Sequence, residues 1–397
     1  MILHKLTALL TALLLLGGCG AQENEQTSDP APETPTQQEQ QAEAPQTEPQ
    51  PEPEKEQQPE AEPEPENIIL RLTAVGDNLL HNTISFDSRL DGGYDFMPVY
   101  QGIAHKIEGS DLAIVNQEVP LDGTVGSYPT LSAPVEAADA LKAVGFHVAT
   151  LANNHMADKG AAGLQATIEA LEARGIHTVG AHAADMPGYI MVEKQGIRIG
   201  ILSYTYGTNS GLGDKNWTID RIDTDRIRAD VEIVRPQCDF LIAAMHWGEE
   251  YQKTPSKGQQ AMAQTLADLG IDLIIGSHPH VMQPAAWLTG STGNETLCVY
   301  SLGNFISDQR EQDRMIGALL TCELIFAPDG SFLGYQTAEL DGVITHCTWG
   351  SKNFALYMLE DYTEALAAEH GLHKHQKPIS LAFFQERMME SGDICLT

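Results

Sequence analysis

The chain has 397 residues, of which 55 are acidic and 23 are lysine or arginine, and its formal net charge is −32. So acidic a chain offers no extended basic face, which argues against nucleic acid or an anionic membrane surface as a partner. Bound divalent metals would reverse the local potential, so an anionic substrate remains compatible with this composition.

The first 18 residues have the composition of a secretory signal. Lys5 precedes an apolar stretch from Leu6 to Leu16 that is too short to span a bilayer comfortably. The following Leu16-Gly17-Gly18-Cys19 resembles a bacterial lipobox, which implies cleavage before Cys19 and diacylglyceryl modification of its thiol. We therefore expect residues 1–18 to be a lipoprotein signal peptide and Cys19 to anchor the protein at the extracytoplasmic face of the cell membrane. A plain signal peptide is the alternative.

Residues 19–66 form a segment of Glu, Gln, Pro, Ala and Thr without aromatic or branched aliphatic side chains. Between Ala21 and Glu66, 14 acidic residues accompany one lysine. Such a segment buries too little apolar surface to offset its ordering entropy. We expect a disordered, self-repelling tether.

Residues 67–397 suit one large α/β domain, over 67–345, followed by a C-terminal helical extension, over 346–397. The cysteines of this body show no CxxC or paired spacing. Neither a zinc knuckle nor a disulfide framework is indicated, and buried free thiols are expected. They are Cys238, Cys298, Cys322, Cys347 and Cys395.

The first half of the body alternates strands with helices. Period and residue type predict strands at 68–75, 112–115 and 147–151, a helix at 135–144, and a helical face formed by Leu164, Ile168 and Leu171. Strands at 189–193 and 198–204 are joined by a turn at Gln195-Gly196.

The second half predicts more strands than helices. A helix at 224–234 leads into a strand at 240–245, and Met262, Leu266 and Leu269 mark a further helix before a strand at 272–275. Later strands are expected near 281–288, 296–301, 315–326 and 332–340, with two helices from about Asn353. Early alternation and later hairpins favour mixed β-sheets packed as a sandwich and flanked by helices.

Polar residues that can bind metals or transfer protons follow most of these strands. They are Asp77 with His81, Asn116 with Glu118, Asn154 with His155, His246, and His278 with His280. Carboxylate, imidazole and amide groups suit Zn, Mn or Fe. Because six candidate ligands exceed one tetrahedral site, a dinuclear centre with a bridging carboxylate fits best.

The spacing of His278 and His280 is informative. On an extended chain, residues i and i+2 point to the same side, so both rings can face one cavity. Pro279 between them adds rigidity. His155, next to Asn154, is a candidate acid or base.

Six ordered motifs resemble the CapA family of bacterial capsule and poly-γ-glutamate synthesis proteins, which is similar in fold to the calcineurin-like metallophosphoesterases. The motifs are GDNLLH, VNQEVP, LANNHMADKG, MHWGEEY, GSHPHV and YSLGNFISDQ, within residues 68–310. The resemblance implies a four-layer fold with two sheets between helices. It also implies a role in envelope-polymer synthesis, with capsule synthase subunits as candidate partners.

The same resemblance implies roles for individual residues. Asp77 would bind the first of two metals and Glu118 would bridge both, so the two carboxylates count as catalytic residues. Asn154, His246 and His278 would bind the second metal, His280 would return to the first, and His155 would donate a proton to the leaving group. A histidine of the metallophosphoesterases is replaced here by Leu79. His81 is then a candidate ligand, Asn116 competes with Glu118, and one metal or two remain open.

The same motifs supply candidate substrate-binding residues: Trp247, Glu250, Tyr251, Asn304 and Asp308. Asp158 and Gly160 are expected to cap the following helix. The other histidines, outside the motifs, are expected to be structural: His105, His147, His177, His182, His346, His370, His373 and His375.

Three functions follow as hypotheses. The first is metal-assisted hydrolysis or acyl transfer on poly-γ-glutamate or a related anionic polymer. The second is a cell-surface metallophosphoesterase acting on phosphoesters. The third is a non-catalytic protein that binds the polymer or a synthase through a degraded metal site.

Overall fold

The computed structural model describes residues 66–375, 378–392 and 394. The predicted signal peptide of residues 1–18, the lipid-attachment residue Cys19, all of the predicted tether except Glu66, and Cys395 lie outside the described residues. Among the helices of the described part, none is both long and apolar enough to cross a membrane.

The strands follow one another along the chain from Ile68 to Met358. They are β1 (Ile68–Asn78), β2 (Arg89–Leu90), β3 (Gly93–Tyr94), β4 (Leu112–Gln117), β5 (Val148–Thr150), β6 (His177–Val179), β7 (Ala181–Ala183), β8 (Tyr189–Lys194), β9 (Ile197–Thr205), β10 (Trp217–Ile219), β11 (Phe240–His246), β12 (Leu273–Ser277), β13 (Met282–Thr289), β14 (Glu295–Leu302), β15 (Asn304–Ile306), β16 (Ile316–Phe326), β17 (Phe332–Thr348) and β18 (Lys352–Met358).

Among the described residues, four α-helices have 11 to 13 residues and the others are shorter. They are α1 (Asn82–Asp87), α2 (Met97–Tyr100), α3 (Ala104–Ile107), α4 (Ala137–Val144), α5 (Gly160–Glu172), α6 (Thr224–Val234), α7 (Lys257–Asp268), α8 (Glu364–Glu369) and α9 (Leu381–Ser391).

Two mixed sheets organise these elements. The first has eight strands in the order β18-β17-β16-β1-β4-β5-β6, with β15 also pairing with β1. The second has six strands in the order β13-β14-β12-β11-β9-β8. The first sheet is antiparallel from β18 to β1 and parallel from β1 to β6. In the second sheet the central pairs are parallel and the two outer hairpins are antiparallel. The predicted hairpin through Gln195-Gly196 joins β8 to β9, as expected.

Successive side chains of β11 alternate between two apolar clusters, one on each face of the second sheet. Phe240 and Ile242 belong to the apolar core shared by the two sheets. Leu241, Ala243 and Met245 belong to a second cluster on the opposite face, with residues of α6 and α7. Because both faces of the strand are buried, its sequence is a continuous apolar run. Mixed sheets packed as a sandwich and flanked by helices are therefore confirmed as the fold class.

The cysteines of the core agree with expectation. Cys238, Cys298, Cys322 and Cys347 are buried and unpaired as disulfides. Burial raises the pKa of the Cys298 and Cys322 thiols, so these groups stay neutral and serve as packing residues.

The C-terminal part differs from the prediction. The predicted boundary between residues 345 and 346 falls inside β17, and residues 353–358, predicted as helix, belong to strand β18. Phe354, Leu356 and Met358 alternate with more exposed residues, which is the period of a half-buried strand. The helical part comes after this strand, where α9 contacts β13, β16 and β17.

The carboxyl ends of the parallel strands meet at one edge of the sandwich. Here the tip of β1 lies directly against the turn before β15, and the backbone N–H of Asp77 donates to the carbonyl of Gly303 at 3.0 Å. A Cβ atom at Gly76 would overlap that carbonyl, so only glycine permits this approach. The close contact places Asp77 beside Asn304.

Candidate metal centre

Glu118 lies at the centre of this edge, immediately after β4. Its side chain is fully buried. Neither carboxylate oxygen has a hydrogen-bond partner among the described residues. Oε1 is 3.7 Å from Nε2 of His280 and 3.8 Å from Nε2 of His246. Burial raises the pKa of Glu118 well above its usual range, and the nearby carboxylates of Asp77 and Glu250 raise it further.

His278 and His280 reach the same point from the turn after β12. One ligand atom each from Glu118, His278 and His280 lie within 4.8 Å of one another. Nδ1 of His278 has no hydrogen-bond partner among the described residues. The expected convergence of the two rings is therefore present.

The backbone of this segment is not extended, contrary to the spacing argument. The φ angles of His278 and His280 are 96° and 58°. Left-handed conformations of this kind cost of order 1–3 kcal/mol for non-glycine residues and persist only where the surrounding structure imposes them. The rings meet because the chain turns sharply, with centroids 5.8 Å apart.

His246 completes the cluster from the end of β11. Its Nδ1 lies 2.9 Å from Oγ of Ser277, and its Nε2 lies 2.8 Å from Oδ1 of Asn154. Burial, then the neighbouring His278 and His280, lower the pKa of His246 well below its usual range. Burial likewise lowers the pKa of His278 to about 4. Neutral imidazole, the form that binds metals, is thus favoured at neutral pH.

Asp77 is in the site, where it orients neighbouring groups, and its roles as a ligand of the first metal and as a catalytic residue stay predictions. Its Oδ2 is 3.0 Å from Nδ1 of His280, and its carboxylate accepts from the backbone N–H of His278 at 3.3 Å. Oδ1 of Asn304 is also 3.0 Å from that Nδ1. Such outer contacts fix the ring so that its Nε2 faces Glu118.

The remaining ligand candidates are placed less directly. Asn116 donates its amide to Asp77 at 2.8 Å, while its oxygen faces Thr150 and Asn153 instead of the cluster. Leu79 is buried. His81 precedes α1 and accepts from the backbone N–H of Asp308 at 3.2 Å. Burial lowers the pKa of His81 to about 4. Its role as a ligand stays a prediction.

His155 is paired with Asp158. Its Nδ1 lies 2.7 Å from Oδ2 of Asp158, and its Nε2 faces the amide of Asn209 at 3.5 Å. Asp158 was expected to cap α5, but that helix follows Lys159 and has no side-chain cap. The carboxylate of Asp158 instead holds the imidazole of His155, with its own Oδ2 also accepting from the backbone of Leu131.

Three of the predicted substrate-binding residues are turned away from solvent. Trp247 is 3% exposed and packs in the second apolar cluster, which contains residues of α6 and α7. Its Nε1–H donates to the carbonyl of Tyr300 at 2.9 Å. Asn304 is 1% exposed and holds His280. The carboxylate of Asp308 accepts from Thr83, Arg310 and Ser351. The polar groups of these three residues are already engaged within the protein, and their direct contact with substrate stays a prediction.

Tyrosines form the mouth of the site. Tyr206 is 48% exposed and lies over His278 with ring centroids 4.5 Å apart. Tyr251 is 41% exposed, and its ring centroid lies 6.2 Å from that of His280. The contact of Glu250 and Tyr251 with substrate stays a prediction.

Sequence reasoning missed Tyr206 and Asn209, although both follow β9 as the other site residues follow their strands. The prediction treated this strand only as half of a hairpin. Its parallel pairing with β11, which brings Thr205 opposite His246, is a tertiary fact. The position of Tyr206 directly after the end of β9 was nevertheless a signal that could have indicated a site residue.

The donor set fits a divalent metal. A buried carboxylate without partners and a buried imidazole nitrogen without a partner are costly unless a further group satisfies them. Carboxylate, imidazole and amide oxygen together suit Mn, Fe or Zn. The geometry can therefore hold a metal among Glu118, His246, His278, His280 and Asn154.

Comparisons with known proteins show the family to which the chain is similar. Residues 71–309 match the model of a family described as "Bacterial capsule synthesis protein PGA_cap". A "Capsule biosynthesis protein CapA" of Bacillus anthracis is 31% identical over 256 residues, which is 60% of this chain and 60% of that protein. A "PGA biosynthesis protein CapA" of Bacillus subtilis (strain 168) is 33% identical over 44% of this chain and 46% of that protein. The matched region thus spans about half the length of these curated relatives.

Among solved structures, one similar chain is a phosphatase from Mycoplasma pneumoniae. It is 16% identical and has a TM-score of 0.42, with 70% of this chain and 88% of that chain covered.

Proposed function

Because residues 71–309 place this chain in the bacterial capsule synthesis family PGA_cap, we propose that it acts in the synthesis of poly-γ-glutamate or a related anionic envelope polymer. Its chemistry would be metal-dependent hydrolysis or acyl transfer. The family membership supports the biological setting, and the relatives named as capsule or PGA biosynthesis proteins support the polymer.

One observation carries the catalytic part of this proposal. Both oxygens of the buried Glu118 carboxylate lack partners among the described residues, while Nε2 of His246 and of His280 face that carboxylate. In a solely structural cluster the carboxylate of Glu118 would be hydrogen-bonded to the protein. A bound divalent metal would satisfy the carboxylate and the imidazoles together and also offset the local negative charge.

Each residue then has a defined task. Glu118, His246, His278, His280 and Asn154 would hold one or two metals. A bound metal supplies Lewis acidity toward a carbonyl or phosphoryl oxygen and lowers the pKa of bound water. The outer residues Asp77, Ser277 and Asn304 orient the imidazoles, which preserves the geometry needed for catalysis.

Proton delivery to the leaving group is assigned to His155. Asp158 engages Nδ1 and leaves Nε2 directed at Asn209 beside the cluster. A carboxylate on the far nitrogen holds the tautomer and stabilises the protonated ring, as in other carboxylate-histidine pairs. His155 would therefore protonate the departing oxygen or nitrogen.

Anchoring at the extracytoplasmic face of the membrane through Cys19 belongs to the same proposal. The lipobox-like sequence and the acidic segment after it support this placement. Capsule synthase subunits are then accessible partners. A Cys19→Ala chain that stays in the membrane fraction as wild type does would contradict the lipid anchor, whereas release from that fraction would support it.

The test of catalysis uses the purified full-length chain loaded with Mn, Fe or Zn. We expect the wild-type protein to retain metal and to cleave γ-linked glutamate oligomers. The His278→Ala variant is expected to lose both properties, because it removes a nitrogen from the cluster. His177→Ala, at an exposed histidine of β6, is the matched control.

Other outcomes select among the three hypotheses. Release of phosphate from a panel of esters, without cleavage of the oligomers, would replace the polymer by a phosphoester substrate. A folded protein that binds no metal and hydrolyses neither substrate would contradict the enzymatic proposal and leave polymer or synthase binding.

A further inference from the structure

Arg314 is a cation at the rim of an otherwise acidic site. Its Cζ lies 3.4 Å from the centroid of the Tyr251 ring. That ring is in turn 6.2 Å from the ring of His280. A guanidinium so close to an aromatic face gains cation–π attraction and is held in one orientation.

The segments that carry this pair are the segments that build the metal centre. The amide of Asn304 donates to the backbone carbonyl of Arg314 at 3.0 Å, while Oδ1 of Asn304 lies 3.0 Å from Nδ1 of His280. The backbone N–H of Tyr251 donates to the carbonyl of Pro279 at 2.8 Å, between the two histidines. Arg314 is therefore positioned relative to the cluster through two independent contacts.

The guanidinium of Arg314 is not neutralised by a salt bridge with any described residue, unlike several other arginines. Arg310 pairs with Asp308, and Arg387 pairs with Asp313 and Glu390. Glu250, a carboxylate beside Tyr251, is not within salt-bridge distance of Arg314. In a chain with a net charge of −32, an arginine left without a carboxylate beside a site is available for an anion from outside.

We propose that Arg314 is the anion-recognition residue of this site and binds a carboxylate or phosphate group of the substrate while the bond to be cleaved lies at the metal cluster. This inference rests on the proposed function and adds the substrate chemistry. The planar fork of guanidinium donors matches both anions in a bidentate arrangement. The exposed face of Tyr251 would support the adjoining aliphatic part of the substrate.

The geometry also explains how an acidic protein admits an anionic chain. Asp77, Asp158 and Glu250 all contribute negative charge near Glu118. Without a fixed cation at the mouth, an anionic substrate would meet repulsion until it reached the metals. Arg314 supplies attraction at the entrance and fixes which end of the substrate enters.

The experiment measures binding by titration calorimetry to the metal-loaded full-length chain. The probes are a γ-linked glutamate oligomer, the same oligomer with its α-carboxylates converted to amides, and inorganic phosphate. Arg314→Gln is expected to bind the charged probe that Arg314 recognises about 10- to 100-fold more weakly, the size of a lost charge-assisted hydrogen bond. Arg228→Gln, at an exposed arginine of α6, removes the same charge and controls for the overall field.

Loss confined to the carboxylate oligomer assigns the substrate group as a carboxylate, and loss confined to phosphate assigns a phosphate. Arg314→Lys keeps the charge and should be intermediate, which guards against a misfolded glutamine variant. Equal affinities of wild type and Arg314→Gln for both anions, or equal losses in Arg228→Gln, would overturn the inference. Failure of hydrolysis with Arg314-dependent binding intact would instead contradict only the proposed function.

Discussion

Two buried histidine clusters lie in the described part of this molecule, and only one has the properties of a ligand site. In the metal centre, His278 and the carboxylate of Glu118 carry buried atoms without partners. In the second group, which we call the C-terminal cluster, His346 lies 2.9 Å from the hydroxyl of Tyr362, and His370 contacts the carbonyl of Thr345 at 3.1 Å. The imidazoles of His346 and His370 are 5.4 Å apart, so proximity alone does not distinguish the two.

The two clusters differ in whether their buried polar groups are hydrogen-bonded and in whether they contain a carboxylate. Both imidazoles of the C-terminal cluster have a hydroxyl or backbone partner, and none of those partners is a carboxylate. The metal centre combines imidazoles with a buried carboxylate that the described residues leave unpaired. A metal site is therefore recognised by buried ligand atoms that lack hydrogen-bond partners around a carboxylate. Buried histidines that are hydrogen-bonded to the protein instead stabilise packing.

The largest expected effect comes from Glu118→Gln. Hydrolysis should fall by more than about 10³-fold, because loss of metal removes several kcal/mol of transition-state stabilisation. In chelator, however, the variant should be more stable than wild type by about 1–3 kcal/mol, since an unpaired buried carboxylate disappears. Rates with added metal and urea unfolding in chelator measure the two effects.

Glu232→Gln, at an exposed glutamate of α6, is the control for that comparison and should change neither quantity. A Glu118→Gln protein that keeps metal and activity, or that is less stable without metal, would show that the carboxylate is not a ligand.

Next in size is the change His155→Asn. The rate is expected to drop by about 10²–10³-fold, as for other general acids, with metal content unchanged. Asp158→Asn should give a smaller drop, because it alters the partner of Nδ1. Metal loss in either variant would place this pair among the ligands, contrary to its assignment.

The C-terminal cluster should respond in stability and not in rate. His346→Leu leaves the buried hydroxyl of Tyr362 without its partner and should lower the free energy of unfolding by about 1–3 kcal/mol. The double variant His346→Leu, Tyr362→Phe removes both polar groups and should recover part of that loss. Unfolding curves and hydrolysis rates are measured together; a large loss of rate would break the contrast between the clusters.

Acidification separates the clusters in a different way. Burial lowers the pKa of His346, His370 and His278 to about 4, while the unfolded value is about 6.5. Between these two pKa values the unfolded chain binds more protons than the folded chain. The contribution of these histidines to the free energy of unfolding is therefore fully present above pH about 6.5 and is lost as the pH falls toward about 4. Chelated protein should lose more across this window than metal-loaded protein, since bound metal resists protonation of His278. Equal losses would indicate that no metal is held there.

The smallest effect is expected for Trp247→Phe. The lost bond to the carbonyl of Tyr300 should cost about 1 kcal/mol of stability. The rate should stay close to that of wild type, because the indole is buried in the second apolar cluster, with residues of α6 and α7, and does not reach the mouth of the site. A substantial rise in KM would support the substrate contact of Trp247 that was predicted from sequence.

The elements were largely predictable from local pattern. The helix Thr224–Val234 and the strands β8, β9 and β11 lie close to their predicted bounds, because each shows a clear period and clear end signals. The strand β18 was predicted as helix, since a seven-residue segment with alternating burial is short and lies next to helical sequence. Its pairing with β17 decides its conformation.

The site was predictable in its residue types and less so in its roles. Glu118, His246, His278, His280 and Asn154 converge as expected, because strand ends of two parallel arrays meet at one edge. Asp158 engages His155 instead of capping α5, and the substrate contacts of Trp247, Asn304 and Asp308 stay predictions. These four residues also have partners far along the chain, namely Leu131, Tyr300, His280 and Thr83, and local sequence carries no record of those contacts.

The sequence by itself determined the acidic balance, the alternation of buried strands and the motifs that carry the metal-binding side chains. Tertiary structure alone decided which of those side chains are left unsatisfied, that His278 and His280 meet through a turn with positive φ, and that Arg314 stands beside Tyr251. The physical reason is the range of the interactions. Periodicity and strand ends are set over a few residues, whereas the satisfaction of a buried polar group depends on atoms brought together from distant parts of the chain.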